Sequence, residues 1–517
     1  MSKESNSTGK RKYDKNDDTR TSLFVKIILI LAAVCIVLVF AYNLISNTGF
    51  LKRTATAYTV GDMKISAMDM NIHYYDVRSN MLSQYGSTLQ SYGYSLDSTL
   101  DAQPCLFDSS MTWKEYFTES ARSQAQQVAV LCQEAEAADY TMTDKDQAKV
   151  DAYIANLEKE AADYKISVSR YLAAVYGGGT KLSDVRTLAE KRYLAAGYYD
   201  LEYASFKVTD DDINKYYSEN KNSYDLVDAY YYSFTYTEYT FTEGAEVKAG
   251  DPTSAEQATQ MTDASKAEAK AKADAALAKI TDAASFDKVI KTDAGDDKFT
   301  TGLNKGLELS SISSTTRGSW LADAKRVAGD KTVVENTTDK SYDVVMFIQR
   351  YRDTKQAATV RHILFKTETA GENATDAEKA TITEANAKRR TDLQAVWDKW
   401  KADGGTEEQF AKLAEEKSED TGSSTNGGMY EHFAQGSMVT AFNDWSFDSA
   451  RKKGDVDIIE TDYGYHLMYF VSNDGEYWYY SVQKTLKDNA YDAWYKEVSA
   501  NYAAKSSSFG MNLIASN

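Results

Sequence analysis

Two histidines stand inside short apolar runs, His362 in V-R-H-I-L-F-K at 360–366 and His466 in Y-G-Y-H-L-M-Y-F at 463–470. Imidazoles can move protons, bind metals or hydrogen-bond to one another. Each run is rich in β-branched and aromatic residues and reads as a strand, so two such strands in one small sheet would bring both rings to one wall. A histidine alone on an apolar strand is an ordinary core residue; two on strands that bracket one domain point to a site. Of the other histidines, His432 reads as a solvent-facing loop residue. No H-E-x-x-H, C-x-x-C or phosphate-binding G-x-x-x-x-G-K-[ST] loop is present, so a metalloenzyme or nucleotide enzyme has no sequence support.

Between the two strands lie F-A-K-L-A-E-E-K-S-E-D (410–420), N-G-G-M-Y (426–430) and G-S-M-V-T-A-F-N-D-W-S-F (436–447). In this order the motifs resemble the parvulin family of peptidyl-prolyl cis/trans isomerases. The resemblance implies catalytic positions at His362 on the first strand, Asp420 after the second helix and His466 on the last strand. It implies a proline pocket built from Met429, Met438 and Phe442. Tyr430 departs from the family pattern, standing where a small glycine is usual, and Val439 stands where many members have glutamine.

Those residue types suit the reaction. An X-Pro amide rotates over a barrier of about 18–20 kcal/mol because its C–N bond is partly double. No bond breaks, and an acceleration of roughly 10⁴-fold asks for about 5.5 kcal/mol of preference for the twisted amide. A dry pocket for the pyrrolidine ring and a few oriented polar groups can supply that without nucleophile, metal or cofactor. The expectation is a hydrogen-bonded His362–His466 pair at the pocket floor, with Asp420 as the polar group facing the rotating amide.

The chain has 517 residues, too many for one core, so several domains are expected. Residues 27–51 carry no charge, and 27–48 read as a transmembrane helix. Seven Lys/Arg against four Asp/Glu precede it, which puts the tail 1–26 in the cytoplasm and the bulk of the chain outside a cell membrane. A cleaved signal peptide is the rival, but the A-x-A at 55–57 lies far behind the span and past two basic residues. The net charge of −18 becomes −21 without the tail, which argues against a nucleic-acid partner. Cys105 and Cys132, outside the span, do not form a disulfide framework, though they could pair in an oxidising exterior.

Residues 56–225 read as a mainly helical domain. Ser66 can cap one helix with Asp69 as capping-box partner, Gly177 can end another with Thr180 starting the next, and Thr209 with Asp212 caps the helix at 208–225. This last stretch resembles the helix preceding the isomerase domain in PrsA/SurA-type secretion foldases, whose N-terminal helical region is a chaperone module. Residues 227–352 come next and look like a degenerate copy of the histidine-bearing domain at 356–473. Trp320-x-x-Asp323 with Gly329-Asp330 repeats Trp445-x-x-Asp448 with Gly454-Asp455, and V-V-M-F-I (344–348) falls where H-L-M-Y-F falls in the second. That copy contains no histidine, so it is expected to act as scaffold or client surface. A helix at 476–505 is expected, by the same resemblance, to pack on the chaperone module.

The fold class is thus α+β multidomain: an N-terminal transmembrane helix, a helical SurA-N-like chaperone module and two parvulin-like α+β domains, the first degenerate. The resemblance implies isomerisation of X-Pro bonds in unfolded or newly secreted polypeptides, with a non-catalytic holdase of the same fold as the alternative. The 38 tyrosines suit weak binding of unfolded chains, since their side chains are amphipathic.

Overall fold

The computed structural model describes residues 48–515 apart from 98, 245–247, 297 and 372. The expected tail, and the expected membrane helix save for Thr48, lie outside the described residues. Among the described residues no helix is long and apolar enough to cross a membrane. The chain is α+β and forms two compact units, one reaching Phe206 and including the chain from Asp488 onward, the other Lys207–Lys487.

The first unit is mainly helical. Strands β1 (Thr56–Val60) and β2 (Met63–Ser66) form a hairpin, and Ser66 caps helix Ala67–Ser91 by accepting the Asp69 amide at 3.0 Å. The Asp69 carboxylate pairs with Lys191 at 3.0 Å. Gly177 ends helix Val168–Tyr176 at φ 82°. Thr180, expected to start the next helix, instead finishes this one: it is buried and its hydroxyl donates to the Tyr176 and Gly177 carbonyls. Asp184 takes over the start of helix Leu182–Ser205 by accepting the Lys181 amide at 2.8 Å. Cys105 and Cys132 are free and buried, and burial pushes the Cys132 thiol up to about 11.

Trp113, Tyr58, Tyr74 and Phe117 are fully buried at the centre of this unit; Phe117 meets Tyr74 edge to face and Trp113 at a tilt of 31°. The end of the chain completes it. Tyr491 meets Tyr199 at 4.6 Å, Ile514 enters the central cluster, and a short strand Ala504–Ser506 pairs antiparallel with β1, Tyr58 opposite Ser506.

In the second unit Thr209 and Asp212 form the expected capping box on helix Asp210–Glu219. Two four-stranded antiparallel sheets follow. The first comprises β3 (Asp225–Thr235), β4 (Leu303–Glu308), β5 (Lys331–Asn336) and β6 (Ser341–Arg352), in the order β4-β3-β6-β5. The second comprises β7 (Gln356–Lys366), β8 (Met429–Ala434), β9 (Val456–Thr461) and β10 (Gly464–Glu476), in the order β8-β7-β10-β9. The plan is the same. Two helices lie between the first and second strands of each sheet, and a short helix precedes the third strand, Thr316–Ala322 in one, where a single turn Leu309–Ile312 comes before it, and Thr440–Ser446 in the other.

The repeat extends to single bonds. Arg326 stacks on Trp320 at 4.3 Å as Arg451 does on Trp445 at 4.2 Å. Gly329 and Asp330 bracket Phe347 with two main-chain bonds, and Gly454 and Asp455 bracket Phe470 likewise. This equivalence of Phe347 and Phe470 sets Asp343, not Val344, at the place of His466. The sequence alignment of the two last strands was therefore one residue out, because only the cross-strand bonds fix register. Pairing then carries His362 (opposite Met468) onto Tyr231 (opposite Val345), and the position three before the tryptophan carries Phe442 onto Arg317.

Candidate active site

β7 and β10 pair so that Met468 faces His362 and Leu364 faces His466. The two histidines are therefore diagonal neighbours on one face, within reach of each other. Both are buried, at 2% and 4% exposure. Their Nδ1 atoms are 2.9 Å apart and their rings nearly parallel, 19° between planes. His362 Nε2 lies 2.8 Å from Asp420 Oδ2, and His466 Nε2 lies 2.8 Å from Thr461 Oγ1.

Donor and acceptor counts give this chain a direction. A carboxylate only accepts, so His362 donates from Nε2, and in the tautomer that carries its proton there it accepts at Nδ1. His466 then donates from Nδ1 and accepts the Thr461 hydroxyl at Nε2. Burial, followed by the neighbouring His362, pulls His466 down to about 3, so it is neutral at physiological pH. The result is one relay, Thr461 to His466 to His362 to Asp420, with every polar atom satisfied and the negative charge held at one end.

Asp420, expected as the polar group facing the rotating amide, is held in a network of four donors. Its Oδ2 accepts from His362, from the Ser423 hydroxyl at 2.5 Å and from the Tyr430 hydroxyl at 3.0 Å, while Oδ1 accepts the Gly422 amide. The hydrogen bond from His362 holds its carboxyl well below the usual carboxylate range against the opposing effect of burial, and that from Ser423 adds to it. Both Asp420 oxygens are thus engaged, Oδ2 joining His362, Ser423 and the phenol of Tyr430. Burial and the Asp420 charge push that phenol up to about 12, which keeps it a neutral donor.

The apolar wall is set by strand alternation. Phe442 is buried, and its ring meets His362 and His466 edge to face at 5.4 and 5.7 Å. Met438 and Tyr430 pack half-buried on the same cluster, with Val360, Phe433 and Met468. Met429 is not part of it. β8 pairs Tyr430 with Val360, on the face of His362, and Met429 with Arg361, on the opposite face, so Tyr430 fills the wall position expected of Met429. The turn before β8 needs glycine: at Gly428, with φ +70°, a Cβ would sit 2.1 Å from the His362 carbonyl oxygen.

His432 is also better placed than the sequence implied. Ala358 pairs with Phe433 and Val360 with Tyr430, which leaves Glu431 and His432 opposite Thr359 alone, a β-bulge with His432 at φ 47°. Its Nδ1 lies 2.8 Å from Asp474 and its ring stacks on Tyr480 at 3.9 Å. Ser423 and Thr461 went unseen in the sequence. Ser423 had one signal, its place three residues after Asp420 in a turn, where a hydroxyl reaches back to the side chain.

The fold and this site define a class, and residues 342–473 match the family model of the PPIC-type PPIASE domain. The chain carries a parvulin-type peptidyl-prolyl isomerase domain. Its relatives include the foldase protein PrsA of a Geobacillus species (strain WCH70), 46% identical over 71 residues, 14% of this chain and 24% of that one. Another is PrsA of Exiguobacterium sibiricum, 42% identical over 59 residues, 11% of this chain and 19% of that one. The chain thus spans about a quarter or less of the length of these relatives in the matching segment. Among solved structures, PrsA from Bacillus anthracis aligns at 20% identity and a TM-score of 0.17, covering 29% of this chain and 58% of that one.

Proposed function

We propose that the domain at 356–473 catalyses cis/trans isomerisation of X-Pro bonds in unfolded polypeptides, within a foldase anchored by the segment at 27–48 and working outside the cytoplasm. One observation carries the catalytic reading: the Thr461–His466–His362–Asp420 relay, with both imidazoles buried, lies against Phe442. The rings and Phe442 form a rigid, dry floor for the pyrrolidine. As the amide twists, its nitrogen regains a lone pair, and a neutral donor at the mouth stabilises that state more than either planar one. Tyr430 is that donor in this reading, its hydroxyl turning from Asp420 Oδ2 to the substrate. In this reading His362, Asp420 and His466 hold the site, and Met438 and Phe442 bind the ring.

The helical first unit would hold unfolded chain, and the histidine-free sheet at 227–352 would serve as scaffold or client surface. The holdase alternative draws support from Tyr430, whose phenol is already tied to Asp420 across the site. A protease-free isomerisation assay with X-Pro peptides on the full chain separates the two. His466→Ala with Asp420→Ala should depress the rate and leave suppression of aggregation of a proline-free client unchanged. A wild-type protein that prevents aggregation yet accelerates no X-Pro peptide would sink the isomerase reading.

A further inference from the structure

β6 runs on past its neighbour. β5 pairs with it only from Lys331↔Met346 to Asn336↔Ser341, and the Gly329–Asp330 bracket at Phe347 adds the last main-chain bonds on that side. On its other side β3 stays paired as far as Asp225↔Arg352. A groove of about 980 Å³ opens where β5 leaves, between residues 322–328 and 217–223. Phe347, Ile348, Gln349, Arg350, Tyr351 and Arg352 all line it.

That run of six consecutive residues is informative. Successive side chains of a strand point to opposite faces, so a groove over either face meets every second residue. One that meets all six runs along the strand's edge. Among the described residues no further main-chain group bonds to 348–352 from this side. Main-chain donors and acceptors repeated at strand spacing are complementary to an extended main chain.

The charge narrows the occupant. In a chain of net charge −18, Lys221, Arg326, Arg350 and Arg352 line this groove. Asp323 and Asp225 engage Arg326 and Arg350, and Glu219 also lines it. Arg352 gives Nη2 to Glu476, but its buried Nε has no hydrogen-bond partner. We infer that the open edge of β6 takes up an extended segment of unfolded polypeptide as an added strand, with an acidic side chain of that segment at Arg352. The inference rests on the reading of the histidine-free sheet as a client surface and not on the isomerase reading.

The test uses the full chain and a blocked, proline-free peptide of about ten residues alternating Thr and Val with one Asp, together with its analogue N-methylated at every second residue. Expected is saturable binding that falls about tenfold or more with the N-methylated analogue, which cannot donate along one edge. Ala328 is exposed and lines the groove, so Ala328→Trp should block it without disturbing the core and weaken binding similarly, while isomerisation of a short X-Pro peptide is unchanged. A photocrosslinker on Val327→Cys, an exposed groove position, should capture the peptide. Equal binding of the two peptides, or Ala328→Trp binding like wild type, overturns the proposal. So does concentration-dependent dimerisation abolished by Ala328→Trp, which would make the edge a contact between copies of this chain.

Discussion

The two sheets share strand order, tryptophan–arginine stack and glycine–aspartate bracket, yet hold opposite chemistry at the same three places. Where the second has His362, Phe442 and His466, the first has Tyr231, Arg317 and Asp343. Asp343 is completely buried, takes the Arg317 guanidinium at 2.7 Å and accepts the Ser341 hydroxyl, and Arg317 lies over the Tyr231 ring at 3.8 Å. In the second sheet the histidine pair packs against Phe442 within an apolar cluster that includes Met438 and Met468. An ion pair stacked on a ring fills that space with its own side chains. The scaffold therefore dictates where three side chains meet, and the side chains decide whether the meeting point holds a histidine pair or a charged plug.

Breaking the plug should have the larger effect. Arg317→Met leaves Asp343 buried without its charge partner, a loss of about 3–5 kcal/mol for comparable buried pairs. Denaturant unfolding read by hydrogen exchange in β3 and β6 should show it, with β7 and β10 little changed. In the other sheet, Phe442→Ala removes apolar contact worth about 1.5–3 kcal/mol, or roughly tenfold to a hundredfold in kcat/KM where that contact is used at the transition state. Circular dichroism must show an intact fold; normal activity in a folded variant would mean the proline ring binds elsewhere.

The smallest effect sharpens the contrast through pH. His466 titrates near 3 in the folded chain against about 6.5 unfolded, so only the unfolded chain takes up its proton between those values. Its contribution is complete above about pH 6.5 and declines as pH falls, at no more than about 1.4 kcal/mol per pH unit. Asp420, with its carboxyl held low, adds a loss only below about pH 4. Protection of β7 and β10 should therefore weaken from pH 6.5 to 4.5 while that of β3 and β6, which lack histidine, does not. His73 in the first unit, buried and near 3 as well, adds a like term there, so exchange must be read sheet by sheet.

Much of this was legible locally. The strands of His362 and His466, the Thr209 cap and the tryptophan repeat are written in residue type and short spacing. Side-chain facing was not, because it depends on pairing between distant segments. Tyr430 instead of Met429 turns inward through the register of β8 on β7, and His432 is held by a bulge that only the partner strand reveals. The one-residue offset that matches Asp343 to His466 has the same origin. Thr180 shows the limit even for a cap: its hydroxyl can serve the helix before or the helix after, and burial of Thr180 accompanies the first.

The short strand Ala504–Ser506 that pairs with β1 sets an order in time. Synthesis runs from the N-terminus at about 5–20 residues per second, so β1 waits on the order of 20–90 s for its neighbour. Throughout that interval the first unit exists with one strand edge uncovered and Ile514 missing from its centre. The sheets between them are contiguous in the chain and can close earlier. A nascent molecule thus acquires its isomerase domain before its helical unit is whole, and loss of only the last few turns of chain would keep it in that unfinished state.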